Sequence, residues 1–338
     1  MYGAALGTLG YYRRPDCADT RCLRDKLTGF GRARQNNQNS VKEIVMSTFE
    51  TKVDFMNPIW NRDAWSRIQG DLNPENQKFS DVRGIILGIK PGEAPKELCG
   101  FEAFLATRLV PLEDGTIRRL NKEVIFYTNP RTGEIIDTWT NPWTGEECRV
   151  VQVANDPFNY TISEWLILAP EDFKSSDPEK AKPRKFPLIF PWHEFGSNML
   201  SLSTDMHLLY PNSLDPKKFV RESSGPMVQV SEMMRYNVSR ADLENPELTS
   251  VPYSGTWARV TPWLPWMLMG QDAGHVLYNG AMTGGPTTDI ISPQALAYAK
   301  EHHPEFLEAP TEDYGPSHSS LEIYARTQEP APPRGEAA

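Results

Sequence analysis

The chain has 338 residues, with 44 acidic and 35 basic side chains and a formal net charge of −9. That length supports one large domain or two small ones. The acidic balance excludes a protein whose main work is gripping phosphate backbones, and no stretch reaches the roughly 18 uninterrupted apolar residues of a membrane span. Four cysteines are too few for a disulfide scaffold, and 29 prolines against 23 glycines favour turns and antiparallel strands over long helices.

Residues 1–45 carry eight Lys/Arg and four Asp/Glu, about +4 in all, and show no periodicity. Their mildly apolar stretch precedes Arg13 and Arg14, the reverse of a signal peptide's order. They are read as an extension without chemistry. It is either a disordered tail or lies upstream of a start at Met46, because Lys42-Glu43, two codons before Met46, can be encoded as a ribosome-binding sequence.

Asn57-Pro58, with Trp60, Ala64 and Ile68 behind, predicts a short amphipathic helix ending at Gly70. Gly84–Ile89 reads as a strand. Hairpin signals follow. Glu113-Asp114-Gly115 separates Ala103–Val110 from Thr116–Leu120. Asn129-Pro130-Arg131-Thr132-Gly133 separates Glu123–Thr128 from Glu134–Thr140, and Asn141-Pro142-Trp143-Thr144-Gly145 separates that strand from Glu147–Val153. Turn chemistry every 8 to 14 residues between β-branched and aromatic runs predicts an antiparallel meander. Pro170–Pro183 reads as an exposed charged loop. Strand patterns resume at Phe186–Trp192, Asn198–Tyr210, Met227–Val238, Thr256–Trp263, Pro265–Met269 and His275–Met282. Ser292-Pro293 opens a second helix that Pro304 ends. The expected fold is mainly β: a large antiparallel, lipocalin-like barrel over residues 46–327 with a few short peripheral helices, and a disordered tail at 328–338.

Alternation sorts side chains onto two faces. Asp205 and His207 share one face of their strand and form a candidate acid–base pair. Arg259 sits between Trp257 and Trp263, as a clamp for a phenolate or as a structural stacking contact. Tyr236 and Glu232 share a face and could move a proton, or pack with the valines beside them. Met233 offers a polarizable contact for an aromatic ligand. His193-Glu194 with Asp205 and His207 would make a metal site, but no HExxH or CxxC spacing supports it. There is no GxGxxG opening a helix, no GxxxxGK[ST] and no GxSxG, so no nucleotide cofactor is expected.

The stretch Glu123–Tyr127, Asn129-Pro130-Arg131-Thr132-Gly133-Glu134, Trp139-Thr140-Asn141-Pro142-Trp143-Thr144-Gly145-Glu146 and Val153-Ala154-Asn155-Asp156-Pro157 resembles a largely bacterial family known as domain of unknown function 1838. A weaker match runs from about Trp60 to Tyr324. The signature is mostly turn residues, whose task is to set backbone angles. Trp139, Asn141, Trp143 and Asn155 are its members with side chains worth presenting to a ligand. Many members of the family carry a twin-arginine signal peptide, whereas here Arg13-Arg14 lacks the apolar segment that should follow, and the chain is read as cytoplasmic. Similar proteins occur in bacteria that degrade lignin-derived aromatics, where cofactor-free lyases remove a one-carbon unit from phenylpropanoid dimers.

These readings converge on a cofactor-independent lyase or isomerase for a hydrophobic aromatic molecule, such as a phenylpropanoid dimer. His207 with Asp205 or Tyr236 would move protons and Arg259 would hold the oxyanion. Trp139, Asn141, Trp143, Met233, Trp257 and Trp263 would contact the substrate. Neither nucleic acid nor membrane is an expected partner, and a homodimer is compatible with the chain. Two alternatives stay open: a non-catalytic lipocalin-like carrier, and a metal-dependent hydrolase built on His193, Glu194, Asp205 and His207.

Overall fold

A computed structural model describes residues 49–168, 184–313, 315 and 317–334. The N-terminal extension and the charged loop at 170–183 lie outside the described residues. Helix α1 (Pro58–Gln69) forms as its sequence signals require. The Asn57 side chain accepts from the Ile59 and Trp60 amides, Pro58 occupies the first turn, and Gly70 ends the helix. Trp60, Ala64 and Ile68, four residues apart, are buried against the sheet.

The strands then run in chain order. They are β1 (Lys78–Ile89), β2 (Lys96–Pro111), β3 (Ile117–Thr128), β4 (Thr138–Thr140), β5 (Glu147–Arg149), β6 (Val153–Asn155), β7 (Tyr160–Ile162), β8 (Trp165–Leu168) and β9 (Arg184–Pro187). After these come β10 (Trp192–Phe195), β11 (Met199–Pro211), β12 (Met227–Ser239), helix α2 (Arg240–Glu244), β13 (Tyr253–Thr261) and β14 (His275–Gly285). Helices α3 (Pro293–His302) and α4 (Ser320–Thr327) close the chain. Ten strands form one antiparallel sheet in the order β10-β11-β12-β13-β14-β1-β2-β3-β6, with β7 also paired to β3. The first and last long strands, β1 and β14, are neighbours along eleven residue pairs. The predicted meander is therefore present, but the described pairings leave the sheet open, with β10 at one edge and β6 and β7 at the other.

Alternation divides this sheet cleanly. One face carries Val82, Ile86, Phe101, Ile125, Tyr127, Leu202, Tyr236, Trp257, Tyr278 and Met282 in a single apolar cluster with α1. We call it the inner face. The other carries Phe79, Phe104, Val124 and Phe126, which pack under α3 and Phe306. Gly280 is needed on the inner face: a Cβ there would lie 2.9 Å from the Phe101 ring and 3.0 Å from the Arg83 carbonyl. The aromatics of β2 and β13 close over that gap, with Phe101 and Trp257 meeting edge to face at 5.5 Å.

Several local expectations change. Thr116–Leu120 and Glu123–Thr128, read as two strands, are the single strand β3, because Asn121-Lys122 supplies no turn and the alternation runs through it. Pro265–Met269 is not a strand but a 3-10 turn over Pro265–Met267, followed by Leu268 at φ 55°. Along Gln328–Arg334, the described part of the segment that composition assigns to a disordered tail, the Ala331 amide donates to Glu222 Oε1 at 2.5 Å, and Arg221 Nη1 donates to the Pro332 carbonyl at 3.0 Å. No helix among the described residues is long and apolar enough to cross a membrane.

Candidate functional site

Among the polar groups of the inner face, one row runs in register across four strands. Met206, Glu232, Arg259 and Tyr278 stand opposite one another across β11, β12, β13 and β14. Arg259 Nη1 lies 3.1 Å from Glu232 Oε1, and Trp257 Nε1 donates to Glu232 Oε2 at 3.2 Å. Burial opposes the Arg259 charge, but Glu232 and then the Tyr278 and Tyr210 oxygens offset it and hold the guanidinium charged. Arg259 Nε has no hydrogen-bond partner.

Next to this row, the Tyr127 and Tyr278 hydroxyls are 3.3 Å apart. Burial pushes Tyr127 up to about 12 and Tyr278 well above its ordinary value, so both stay neutral phenols at physiological pH. Across the β3–β6 pairing, Glu123 stands opposite Asn155. Asn155 Nδ2 donates to Glu123 Oε2 at 3.0 Å and to Ser320 Oγ at 3.3 Å. Burial raises the Glu123 carboxyl, partly countered by the Asn155 bond. Asn155 is 4% exposed and its Oδ1 accepts from no donor.

These groups border a cavity of about 160 Å³. Its polar lining includes Arg259, Tyr127, Tyr278, Tyr210 and Asn155, and its apolar walls include Trp263, Trp266 and Leu264. Helix α4 supplies the roof through Ser320, Leu321, Ile323 and Tyr324. A capping box, Ser319 with Glu322, starts that helix. Tyr324 meets Phe219 of the β11–β12 connection at 6.3 Å.

Most sequence-selected residues are near this cavity, but in different capacities. Trp263 lines it directly. Trp257 buttresses Glu232 from below. Trp143 packs edge-on against Trp263 at 5.3 Å, and Trp139 against Trp266 at 5.6 Å, so both support the walls. Asn141 is a turn residue: its Oδ1 accepts from the Trp143 and Thr144 amides, and its Nδ2 donates to the Met267 carbonyl at 3.4 Å. It thereby ties the NPWTGE turn to the 3-10 turn that presents Trp266. Tyr236 is on the inner face but remote from the Arg259 row, between Trp65 and Tyr253. Burial drives its hydroxyl far above the ordinary range.

Asp205, His207 and Met233 are on the opposite face of the sheet. Asp205 pairs with Arg235 at 2.9 Å and His207 Nδ1 with Ser231 Oγ at 2.9 Å, so the two do not form an acid–base couple with each other. Met233 is the cross-strand neighbour of Asp205. The four residues considered for a metal do not converge. His193 stands opposite Ser201, six residues from His207 along β11, roughly 20 Å at strand rise. Glu194 pairs with Arg240. Among the described residues, no three His, Cys, Asp or Glu side chains group as metal ligands.

Alternation alone did not single out Glu123, Tyr127, Tyr210 or Tyr278. It placed Glu232 beside Tyr236, among valines, because the register that sets Glu232 against Arg259 is a long-range property.

Residues 75–328 match the family model described as protein of unknown function (DUF1838). The chain belongs to this family. The matched segment begins just before β1 and ends just after α4, so it contains the whole sheet, the cavity and its roof. Helix α1 lies outside it. No curated protein matches the chain.

Proposed function

We propose that the protein is a cofactor-independent enzyme, a lyase or isomerase, acting on a hydrophobic aromatic molecule held in the cavity beneath α4. The observation that carries this reading is Arg259. It is a half-buried cation with one edge committed to Glu232, an unsatisfied Nε, and a cavity walled by tryptophans beside it. Such a group stabilises an oxyanion as charge develops, and in a water-poor site the interaction is stronger than in bulk solvent.

The neutral phenols of Tyr127 and Tyr278 are proton donors at physiological pH. One of them would protonate the carbon or oxygen that gains electrons when the substrate bond breaks or shifts. The carboxyl that would take up a proton in return is Glu222, which lines the cavity, or Glu123, held by Asn155 beside it. His207 and Asp205, on the other face, have no part in this chemistry.

A non-catalytic carrier is the second reading, favoured by one feature: no imidazole lines the cavity, and the carboxylate that does, Glu222, is already committed to the Arg221 and Ala331 amides. Turnover separates the two. The full chain, in buffer containing a chelator, is incubated with a library of phenolic and aryl-carbonyl compounds, and products are followed by liquid chromatography with mass detection. The enzyme reading expects a product whose formation falls at least a hundredfold in Arg259→Lys, since oxyanion-stabilising groups contribute about that much or more. Saturable binding without product across the library would leave the carrier.

A further inference from the structure

The roof of the cavity is built differently from its walls. The walls contributed by β3 with β6 and by β13 with β14 are joined by backbone ladders. Helix α4 belongs to no ladder. Its hydrogen bond to the sheet runs from Asn155 Nδ2 to Ser320 Oγ at 3.3 Å, and on its other side the Tyr324 ring meets Phe219 edge-on. No residue of α4 is fully buried. At 8 residues it is shorter than the roughly 12–15 that an isolated helix needs in water, so its neighbours decide whether it stays in place.

Both flanks of α4 are tied down. Before it, Ser317 Oγ accepts from the Asn159 amide at 2.6 Å and donates to the Asn159 carbonyl at 2.9 Å. After it runs Glu329-Pro330-Ala331-Pro332-Pro333-Arg334. Proline lacks an amide donor and favours an extended chain. Ala331 is therefore the one backbone donor across 330–333, and Glu222 Oε1 captures it at 2.5 Å. Arg221 Nη1 donates to the Pro332 carbonyl at 3.0 Å, and Arg334 Nη2 to the Leu268 carbonyl at 3.3 Å. The platform beneath is fixed. Glu222 is buried, and its Oε2 accepts from the Arg221 amide at 3.1 Å. Arg221 Nη2 also donates to Glu146 Oε2 at 2.5 Å, and the Arg221 carbonyl accepts from the Gly270 amide at 2.8 Å.

We propose that α4 is a lid over the cavity and that residues 329–334 are the strap that latches it, with the hydrogen bond from Ala331 to Glu222 as the catch. A ligand enters and leaves as the lid lifts, while the sheet stays folded. Three of the six strap residues are prolines, so the strap loses little conformational entropy when it docks. Opening such a local unit costs far less than global unfolding. The lid serves a carrier as well as an enzyme.

Amide hydrogen exchange of the full chain at pH 7, without ligand, followed by mass spectrometry of peptic fragments, tests the lid and the latch together. In the wild-type chain the α4 amides are expected to exchange about a hundredfold or more faster than those of β13 and β14, because the lid opens without the sheet. Ala331→Pro removes the captured donor and keeps the strap extended. It should speed α4 exchange by about tenfold or more, the worth of one hydrogen bond to a charged group, and leave β13 and β14 unchanged. Ending the chain after Gln328 removes the whole strap and should do at least as much. Protection of α4 equal to that of β13 would overturn the lid. Protection of α4 unaltered in both variants would overturn the latch. Neither result depends on turnover, so the catalytic reading stands or falls separately.

Discussion

Glu232 and Arg259 stand directly opposite each other on adjacent antiparallel strands, 3.1 Å apart, with Tyr278 next in the same row. This pair is the one ion pair bordering the cavity among the described residues. It fixes the guanidinium in place and leaves its Nε edge uncommitted. Breaking such a pair from one side strands the other charge, which is far more costly than removing both. Arg259→Met and Glu232→Gln should each lower stability by about 2–3 kcal/mol, the low end because both side chains keep some solvent access. The double variant should lose clearly less than the sum. Urea denaturation of the three variants measures this, and strict additivity would contradict the coupling.

A second carboxyl cluster predicts pH dependence. On the outer face, Asp81 and Glu102 are both buried, and Arg83 Nε contacts Asp81 Oδ2 at 2.7 Å and Glu102 Oε1 at 3.8 Å. Glu102 accepts from the Ser292 amide and hydroxyl at the start of α3. Burial, then the Glu102 charge, pushes the Asp81 carboxyl up to about 8. The native state therefore binds a proton that the unfolded chain releases near the ordinary carboxyl range. Stability from this group is full at low pH and is lost as pH rises toward 8. Asp81→Asn should flatten that slope. The check is the difference between wild-type and variant urea midpoints from pH 5 to pH 9, expected to shrink or reverse in favour of the variant as pH rises.

Lys78 tests the packing at the far end of the inner face, where β1 meets the end of α1. Its ammonium is buried and donates to the carbonyls of Arg67, Ile68 and Val251 at 3.0, 2.8 and 2.6 Å. Two of these lie at the C-terminal end of α1, where carbonyls lack helical partners and a cation is favoured. Burial lowers its pKa to about 7, yet three acceptors take all three ammonium protons. Lys78→Met removes the donor and leaves the carbonyls buried. A loss of about 3 kcal/mol or more is expected from unsatisfied acceptors, measured by thermal and urea unfolding.

The roof makes a separate prediction. None of the residues of α4 is fully buried, and the segment after it is held by Arg221, Glu222 and Arg334. Ending the chain after Ser319 should leave the sheet folded by circular dichroism and expose Trp263 and Trp266. Acrylamide quenching should rise and affinity for aromatic probes should fall. Unchanged quenching would show that α4 does not cover the cavity.

Local chemistry made much of this fold legible. Asn57-Pro58 and Ser292-Pro293 marked two helix starts correctly, and Asp-Gly and Asn-Pro turns marked the hairpins. The capping box at Ser319 and Glu322 was equally readable and would have found α4. Alternation placed Arg259 and Trp257 on one face, but it could not say which face of β11 was inner. The Asp205–His207 side, rich in polar groups, is the outer one, and Leu200, Leu202 and Thr204 face inward. Whether the sheet stays open or closes, and the Glu232–Arg259 and Glu123–Asn155 registers, depend on pairings that no single segment encodes.

The most direct test of the central claim is native mass spectrometry of the protein purified from its own host, beside the Arg259→Met with Glu232→Gln double variant. The account predicts an aromatic adduct on the wild-type chain that is absent from the double variant. An adduct of equal occupancy on both, or a stoichiometric metal ion in place of any organic ligand, would contradict it.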